Sequence, residues 1–372
     1  MVDLKSLSQK ELDAFIKNQG LPEYRADQLI HWIYARYASR IDEITEFSRD
    51  LRRRLNESAY ISNLKIIQRL KSSDGTEKFL FALQDEQTIE SVLIPDSDRL
   101  TLCVSSQVGC ALGCLFCLTG KGGFIRNLKS HEIVDQIIAV NRTIQESNPP
   151  GPPLQKGGIN KEISDQNIPT LEKGGEGGFS EKRITNIVFM GMGEPLMNFD
   201  NVVEALRRIV DLIGISKRKI TLSTAGIVSK MLLLPRKAPE VNLAVSLNAA
   251  TDGVRNKIMP VNKRYPLAAL IEACRRYPLK PGRRITFEYV MIDGLNDSLD
   301  DAKKLVTLLK GLRCKLNLIP LNPHHGDSLK RPSQEKVIAF QRMLFHHNRR
   351  SMIRESRGQD ILAACGQLRA NQ

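Results

Sequence analysis

Three cysteines fall within eight residues, in Cys110-Ala111-Leu112-Gly113-Cys114-Leu115-Phe116-Cys117. Three thiolates held this closely can bind one face of a soft metal ion or of an iron–sulfur cluster. A structural zinc ion wants four protein ligands, usually completed by a second Cys or His pair. None of the six His residues lies at finger-like spacing from the run. A 4Fe–4S cluster on three thiolates leaves one iron open for a substrate. Four more cysteines, Cys103, Cys274, Cys314 and Cys365, bring the total to an odd seven. That spacing is not a secreted disulfide scaffold. In a reducing compartment, clustered thiols serve as metal ligands or catalysts.

Such chemistry needs a scaffold that gathers distant residues. From residue 99 onward, short β-rich runs alternate with helical stretches. Strands are predicted over 100–106, 184–190, 219–223, 241–247, 284–291 and 314–319, and helices over 130–145, 200–212, 267–277 and 300–312. Strand–helix alternation builds right-handed βαβ units around a parallel sheet. Six strands predict an α/β fold with an incomplete, TIM-like (β/α)6 barrel. Barrels place their chemistry at the C-terminal ends of strands, and distinctive residues follow these strands. Gly191-Met192-Gly193-Glu194-Pro195 follows the second. Its glycines let backbone approach a ligand, and Glu194 can accept hydrogen bonds from an ammonium group. Ser223-Thr224-Ala225-Gly226 and Ser246-Leu247-Asn248 end the next two strands, and Asn322 follows the last. Each alone reads as a turn or a helix cap. Four together, after a thiol run, read as a binding site.

Two segments precede this barrel. Residues 1–60 read as a small helical accessory domain. Ser8 and Glu11 form a capping-box pattern, and Leu12, Phe15 and Ile16 follow at helical spacing. Gly20 and Pro22 separate a second helix carrying Leu29, Ile30, Ile33 and Tyr34, and a third surrounds Arg52-Arg53-Arg54. Residues 61–98 form a β-rich connecting segment with strands over 63–70, 78–83 and 88–94. The barrel, 99–372, is interrupted at 148–180. Those 33 residues hold 7 Gly and 5 Pro and two related pieces ending in Lys-Gly-Gly, which predicts a flexible surface insertion without chemistry.

With 372 residues, 41% hydrophobic and 26% charged, the chain can bury a large core. Collagenous, fibrous and wholly disordered classes are excluded. No apolar run approaches the ~20 residues of a membrane helix, and Met1–Gly20 has no apolar signal region. A cytoplasmic location is expected. The net charge of +14 is unevenly placed. Residues 1–60 hold 10 basic and 10 acidic groups, while 217–372 hold 29 and 12, a net +17. The excess includes Lys217-Arg218-Lys219, Arg275-Arg276, Arg283-Arg284 and Arg349-Arg350. A field of one sign this extensive favours a polyanion, most simply a nucleic acid. Arg52-Arg53-Arg54 is a second candidate phosphate contact.

The C-x3-C-x2-C run with its aromatic residue resembles the radical S-adenosylmethionine (SAM) superfamily. Two further segments narrow the likeness. Cys103 stands in Thr101-Leu102-Cys103-Val104-Ser105-Ser106-Gln107-Val108-Gly109, and Cys365 in Gly358-Gln359-Asp360-Ile361-Leu362-Ala363-Ala364-Cys365-Gly366-Gln367-Leu368. Alone, each cysteine reads as a small buried residue. Together the segments closely resemble the RlmN family, dual-specificity radical SAM methyltransferases acting on C2 of adenosine in 23S ribosomal RNA and tRNA. The likeness runs from the N-terminal helices to Cys365, with the 148–180 insertion and the short tail after Cys365 as departures.

The resemblance implies specific roles. Cys110, Cys114 and Cys117 hold the 4Fe–4S cluster. Gly193, Glu194, Ser223, Ser246, Leu247, Asn248 and Asn322 contact SAM, although several relatives have His where this chain has Asn248. A first SAM methylates Cys365. A second yields a 5′-deoxyadenosyl radical, and the methyl carbon joins C2 of the adenine in a protein–RNA adduct. Glu90, in Ile89-Glu90-Ser91-Val92-Leu93-Ile94-Pro95, takes the C2 proton; without the resemblance it reads as a solvent-facing strand residue. Cys103 attacks Cys365 and releases the RNA, leaving a disulfide. Two SAM are consumed per methylation, and an external electron donor serves cluster and disulfide. A monomer is implied. C2 of adenine is electron-poor and has no lone pair to attack SAM, so a carbon radical is needed.

Cys274 and Cys314 match no motif and read as core fillers. His324-His325 and His346-His347 read as loop or surface residues. Three rivals remain at this level. A C8-directed adenosine methyltransferase of the antibiotic-resistance type shares the thiol run and both further cysteines. An RNA-binding protein with a structural zinc leaves Cys103 and Cys365 unexplained. A dithiol redox protein leaves the run and the strand-end motifs unexplained.

Overall fold

The computed structural model describes residues 1–147, 183–323 and 328–369. The 148–180 insertion and His324-His325 lie outside them. The frame is one ten-stranded sheet: β1 (Lys65–Lys71), β2 (Glu77–Ala82), β3 (Thr88–Asp96), β4 (Arg99–Cys103), β5 (Asn186–Phe189), β6 (Ile220–Thr224), β7 (Asn242–Ser246), β8 (Ile285–Met291), β9 (Cys314–Pro320) and β10 (Ser351–Ile353). The strands lie side by side in sequence order. β1 to β4 pair antiparallel, and β4 to β10 pair parallel. β1 and β10 are the free edges, so the barrel stays open.

The parallel half follows the expected alternation, with helices α4 (Ser130–Ser147), α5 (Phe199–Asp211), α6 (Leu267–Arg276), α7 (Leu299–Leu308) and α8 (Gln334–His346) between its strands. Its strands are buried on both faces, as Leu243, Ala244 and Val245 on β7 show, which parallel pairing under helices requires. The antiparallel strands extend the barrel sheet at one edge. β10 was not expected: three residues are too few to show a period, and only tertiary pairing with β9 defines them.

The first barrel strand stops at Cys103 rather than running to residue 106. Its continuation leaves the sheet because Ser106 N–H donates to Met192 C=O at 2.8 Å. Buried Gln136 on α4 also takes up Ser105, accepting its N–H at 2.8 Å and donating to its C=O at 3.0 Å.

Three helices precede the sheet: α1–α3. In α1 (Gln9–Asn18) the capping box forms, with Ser8 N–H donating to Glu11 at 2.7 Å. In α2 (Tyr24–Ile30) the coil continues as a π-turn through Ala35. In α3 (Arg49–Ser58), Arg52 and Arg54 donate to the carbonyls of Asp42 and Gln19, and Arg53 pairs with exposed Asp50. All three arginines thus have partners in their own helical segment. This domain packs outside α4 and α5. Buried Arg208 of α5 donates to the carbonyls of Lys5 (2.6 Å) and Leu7 (2.9 Å), and Lys5 pairs with Asp135 of α4. Among the described residues, no helix is long and apolar enough to cross a membrane.

Candidate active site

The cysteine loop hangs from a two-strand ribbon, Gln107–Gly109 against Phe124–Asn127. Cys110 N–H donates to Gly123 C=O at 2.7 Å. Gly109 must be glycine there: its φ is +74°, and a Cβ would lie 2.0 Å from the Gly123 oxygen. Beyond it, Leu115 N–H reaches Ile258 C=O at 2.9 Å and Leu118 N–H reaches Gly366 C=O at 2.8 Å. The loop is therefore stitched both to the barrel and to the segment carrying Cys365.

Cys110, Cys114 and Cys117 line one cavity with Gly193, Glu194, Ser223, Ser246, Asn248 and Cys365. Burial pushes the Cys110 thiol up to about 12, with Cys117 and Glu194 pushing the same way. Burial raises Cys114 too, joined by Cys117 and Cys110. Thiols raised as Cys110 and Cys114 are resist ionising unless a cationic group shares the site. Among the described residues, no three Cys, His, Asp or Glu side chains are grouped tightly enough for a single metal ion. Three thiols on one cavity wall are a soft donor set of the kind that iron–sulfur clusters take.

The strand-end residues supply the neighbouring wall. Gly193 has φ +95°, and a Cβ there would meet Gln107 Cβ at 2.5 Å. Glu194 is buried and accepts the N–H groups of Ala225 (2.7 Å) and Leu196 (3.0 Å). Burial raises its carboxyl against those bonds, so a ligand ammonium would favour its ionised form. Asn248 takes the left-handed conformation, φ +59°, which Asn tolerates. Its side-chain oxygen accepts Val290 N–H at 2.9 Å. The side chain of Leu247 is buried, and its C=O accepts from Arg255 at 2.9 Å; the residue does not line the cavity. Asn322 is 6% exposed and lines neither this cavity nor the one beside Cys103, and among the described residues neither atom of its amide has a hydrogen-bond partner. Glu288 Oε2, on the cavity wall, is equally unpartnered. Unpaired buried polar atoms cost free energy, and SAM, with amino, carboxylate, ribose and adenine groups, offers partners.

Cys365 also lines a second cavity, which Cys103, Val92, Ile319 and Arg354 share. Burial pushes Cys103 to about 12; Cys365 adds to the shift and Arg354 opposes it. Cys365 is an exposed residue, yet protein crowds its thiol and that desolvation raises it, against Arg354 and with Glu288 and Cys117. The two cysteines that the resemblance pairs are thus neighbours. Glu90 stands apart and lines neither cavity. Its carboxylate pairs with Lys78 at 3.0 Å and accepts Arg369 N–H at 2.7 Å.

Several site residues carried no signal in the sequence. Arg255 is buried and donates to Ala225 C=O (2.7 Å), Ser246 C=O (3.1 Å) and Leu247 C=O, pinning the ends of β6 and β7. Arg354 follows a three-residue strand. Lys78 meets Glu90 because Leu80 pairs with Glu90 across β2 and β3, leaving residue 78 diagonal to it on the same face. His346 and His347 are exposed, as expected. Cys274 is buried, also as expected, and Cys314 is half-buried.

Comparison with known proteins decides the family. The ribosomal RNA large subunit methyltransferase N-terminal domain matches residues 2–61, and the radical SAM superfamily matches residues 176–306. The chain is 47% identical to the dual-specificity RNA methyltransferase RlmN of Geobacter sulfurreducens, over 99% of this chain and 92% of that protein. It is 46% identical to the RlmN of Syntrophobacter fumaroxidans, over 99% and 98%. The chain belongs to the RlmN family. The crystal structure of a radical SAM methyltransferase from Sphaerobacter thermophilus, 40% identical, superposes over 100% of both chains with a TM-score of 0.87. As an RlmN family member the protein is a radical SAM methyltransferase, and its cofactors are a 4Fe–4S cluster and SAM. The fold is the expected incomplete barrel.

Proposed function

We propose that the protein methylates C2 of adenosine in 23S ribosomal RNA and tRNA, with Cys365 carrying the methyl group and Cys103 releasing the product. The observation that carries this reading is the position of Cys365. It lines the cavity of the cluster thiols and the cavity of Cys103. A carrier that must receive a methyl group, react as a radical and be resolved by a thiol needs both. The names of the relatives support RNA as the substrate class and a dual specificity.

In this reading Cys110, Cys114 and Cys117 hold the cluster, and Gly193, Glu194, Ser223, Ser246 and Asn248 hold SAM from the cavity wall, while Leu247 and Asn322, which the resemblance also names, do not line that cavity. When bound, cluster and SAM supply a 5′-deoxyadenosyl radical by one-electron cleavage of the sulfonium. Cys365 Sγ first takes the methyl group of one SAM, its new S–C bond forming as the sulfonium S–C bond breaks and S-adenosylhomocysteine leaves, with the S–H proton passing to solvent. It later gives up one hydrogen atom from that methyl group, and the carbon bonds to adenine C2. Glu90 takes the C2 proton, and the one surplus electron of the adduct would be accepted by the oxidised cluster when that group is bound. The Cys103 thiolate then attacks Cys365 Sγ: the S–S bond forms, the S–C bond breaks, and the carbon is protonated to methyl. An external electron donor reduces the disulfide. The enzyme works as a monomer in the cytoplasm.

The test is nucleoside mass spectrometry of ribosomal RNA and tRNA from a host lacking and then regaining this chain. Gain of 2-methyladenosine, lost with Cys103→Ala or Cys365→Ala, is expected. Gain of 8-methyladenosine would overturn the C2 assignment. The RlmN relatives do not favour that C8 alternative. No methyladenosine from iron-loaded protein would overturn the substrate.

A further inference from the structure

The basic clusters of the sequence are not at the catalytic end of the barrel. Arg283-Arg284 immediately precede β8, Arg313 precedes β9, and Arg349-Arg350 precede β10. These strands are parallel neighbours, with Ile285 beside Cys314 and Leu316 beside Ser351. Residues that precede each strand therefore emerge at one end, and the five arginines line one cleft there. Lys217-Arg218-Lys219, just before β6, lies at the same end. The thiol cavity is built on the opposite strand ends, at Thr224, Ser246, Val290 and Ile319. Seven-residue β8 separates the two ends by about 23 Å.

The cleft is charged and unneutralised. Among the described residues, none of the five arginines makes an ion pair. Glu240, an acid that feels the charge of Arg283, pairs with Lys280 at 2.6 Å. Arg283 is held by Asn242, and Arg313 donates to Leu279 C=O at 2.9 Å. Arg284 and Arg350 are exposed, and buried Nε of Arg349 has no hydrogen-bond partner. Like charges gathered without counter-charge repel, and their retention in one cleft fits an external polyanion. Free edge strand β10 joins the two ends: Arg350 precedes it, Arg354 of the Cys103 cavity follows it, and Met352 between them is 64% exposed.

We propose that this arginine cleft is a second RNA-docking site, which holds phosphodiester backbone of the folded substrate remote from the reacting adenosine. The inference rests on the RNA reading above. A folded RNA is larger than the barrel, so it can reach both ends along β10. Phosphate contacts of this kind fix position and carry no sequence information.

The test compares cluster-loaded wild type with Arg284→Ala/Arg350→Ala. A second variant of equal charge, Arg275→Ala/Arg276→Ala on α6, controls for net charge. Binding is titrated against full-length tRNA and against a short hairpin carrying the target adenosine. The cleft variant should bind full-length tRNA about tenfold more weakly at 150 mM salt, with a salt slope smaller by about 1.4–1.8. Hairpin binding and hairpin methylation should stay within about twofold of wild type, and the α6 control should match wild type on both RNAs. Unchanged tRNA affinity and slope, or equal loss on the hairpin or in the control, would overturn the cleft alone. Wild type that binds neither RNA would overturn the RNA reading and the cleft with it.

Discussion

The backbone N–H of Arg369 donates to the Glu90 carboxylate at 2.7 Å. Lys78 holds the other oxygen at 3.0 Å. The chain just past Cys365 therefore folds back onto the proposed base, and Glu90 lines neither cavity. For Glu90 to take a proton from adenine, this tail must move when RNA enters. Hydrogen exchange at the Arg369 amide should be slow in the free enzyme and faster with RNA bound. Unchanged protection would remove Glu90 from the reaction as proposed.

The same contact complicates a simple mutation. Glu90→Gln removes the counter-charge of the Lys78 ammonium, which is only 12% exposed and keeps the Leu362 carbonyl at 3.3 Å, and breaking a buried ion pair costs about 3–5 kcal/mol. Lost methylation in that variant could reflect folding alone. Lys78→Met combined with Glu90→Gln should recover much of the thermal stability and remain unable to methylate RNA. Recovery of methylation in the double variant would show that Glu90 is structural.

Cys103 and Cys365 give a pH dependence with a definite sign. Burial holds the Cys103 thiol up at about 12, so almost none is thiolate at neutral pH, and thiolate is the attacking form. Below that value the thiolate fraction rises tenfold per pH unit. Release of trapped protein–RNA adduct, followed on gels after rapid pH change, should accelerate about tenfold per unit from pH 7 to 9. Arg354 lowers both thiols. Arg354→Gln should therefore slow release at every pH in this range without changing the slope. A flat profile would mean that a step other than thiolate attack limits release.

The barrel and thiol run were legible because each leaves a local trace: buried parallel strands recur between helical stretches, and three cysteines share one loop. Cys103 and Cys365 were legible only through family resemblance. What stayed hidden depends on register and distance. Lys78 is an ordinary alternating strand residue until the pairing of Leu80 with Glu90 sets it beside the carboxylate. Arg255 lies on a short helix, and only tertiary folding turns its guanidinium toward three carbonyls. The basic clusters were legible as charge but not as place, since parallel topology alone sends them away from the catalytic end.

Asn322 and Glu194 should respond differently to mutation. Among the described residues the Asn322 amide has no hydrogen-bond partner, so Asn322→Ala removes no hydrogen bond among them. Thermal stability should hold or rise, while SAM binds about tenfold more weakly, the loss of one neutral hydrogen bond at ~1–1.5 kcal/mol. Glu194 accepts two backbone N–H groups. Glu194→Ala should lower both melting temperature and SAM affinity. Equilibrium binding of SAM beside thermal melts checks both, and unchanged SAM affinity in Asn322→Ala would remove it from the SAM site.

The segment leading to Cys365 is clamped by the turn between β1 and β2. Gly358 N–H donates to Asp74 at 3.0 Å, and Ser73 N–H donates to Asp360 at 3.1 Å. Ser72 Oγ adds a bond of 2.5 Å to Asp360. Partial burial pushes the Asp74 carboxyl up, but bonds from Gly358, Thr76 and Ser72 win and hold it at about 2. The folded value lies below the ordinary 3.8, so the stabilisation is complete above about pH 4 and is lost as pH falls through 2. The clamp is therefore closed at neutral pH, although both carboxylates are exposed and salt screens them. Asp74→Asn keeps one acceptor oxygen and loses the charge. Amide exchange over 358–366 should rise about threefold to tenfold at pH 7, with methylation slowed and SAM affinity unchanged, because Cys365 is misplaced while the SAM wall is intact. Weakened SAM binding would show that the clamp supports the whole site, and unchanged exchange would show that the turn does not hold the carrier at all.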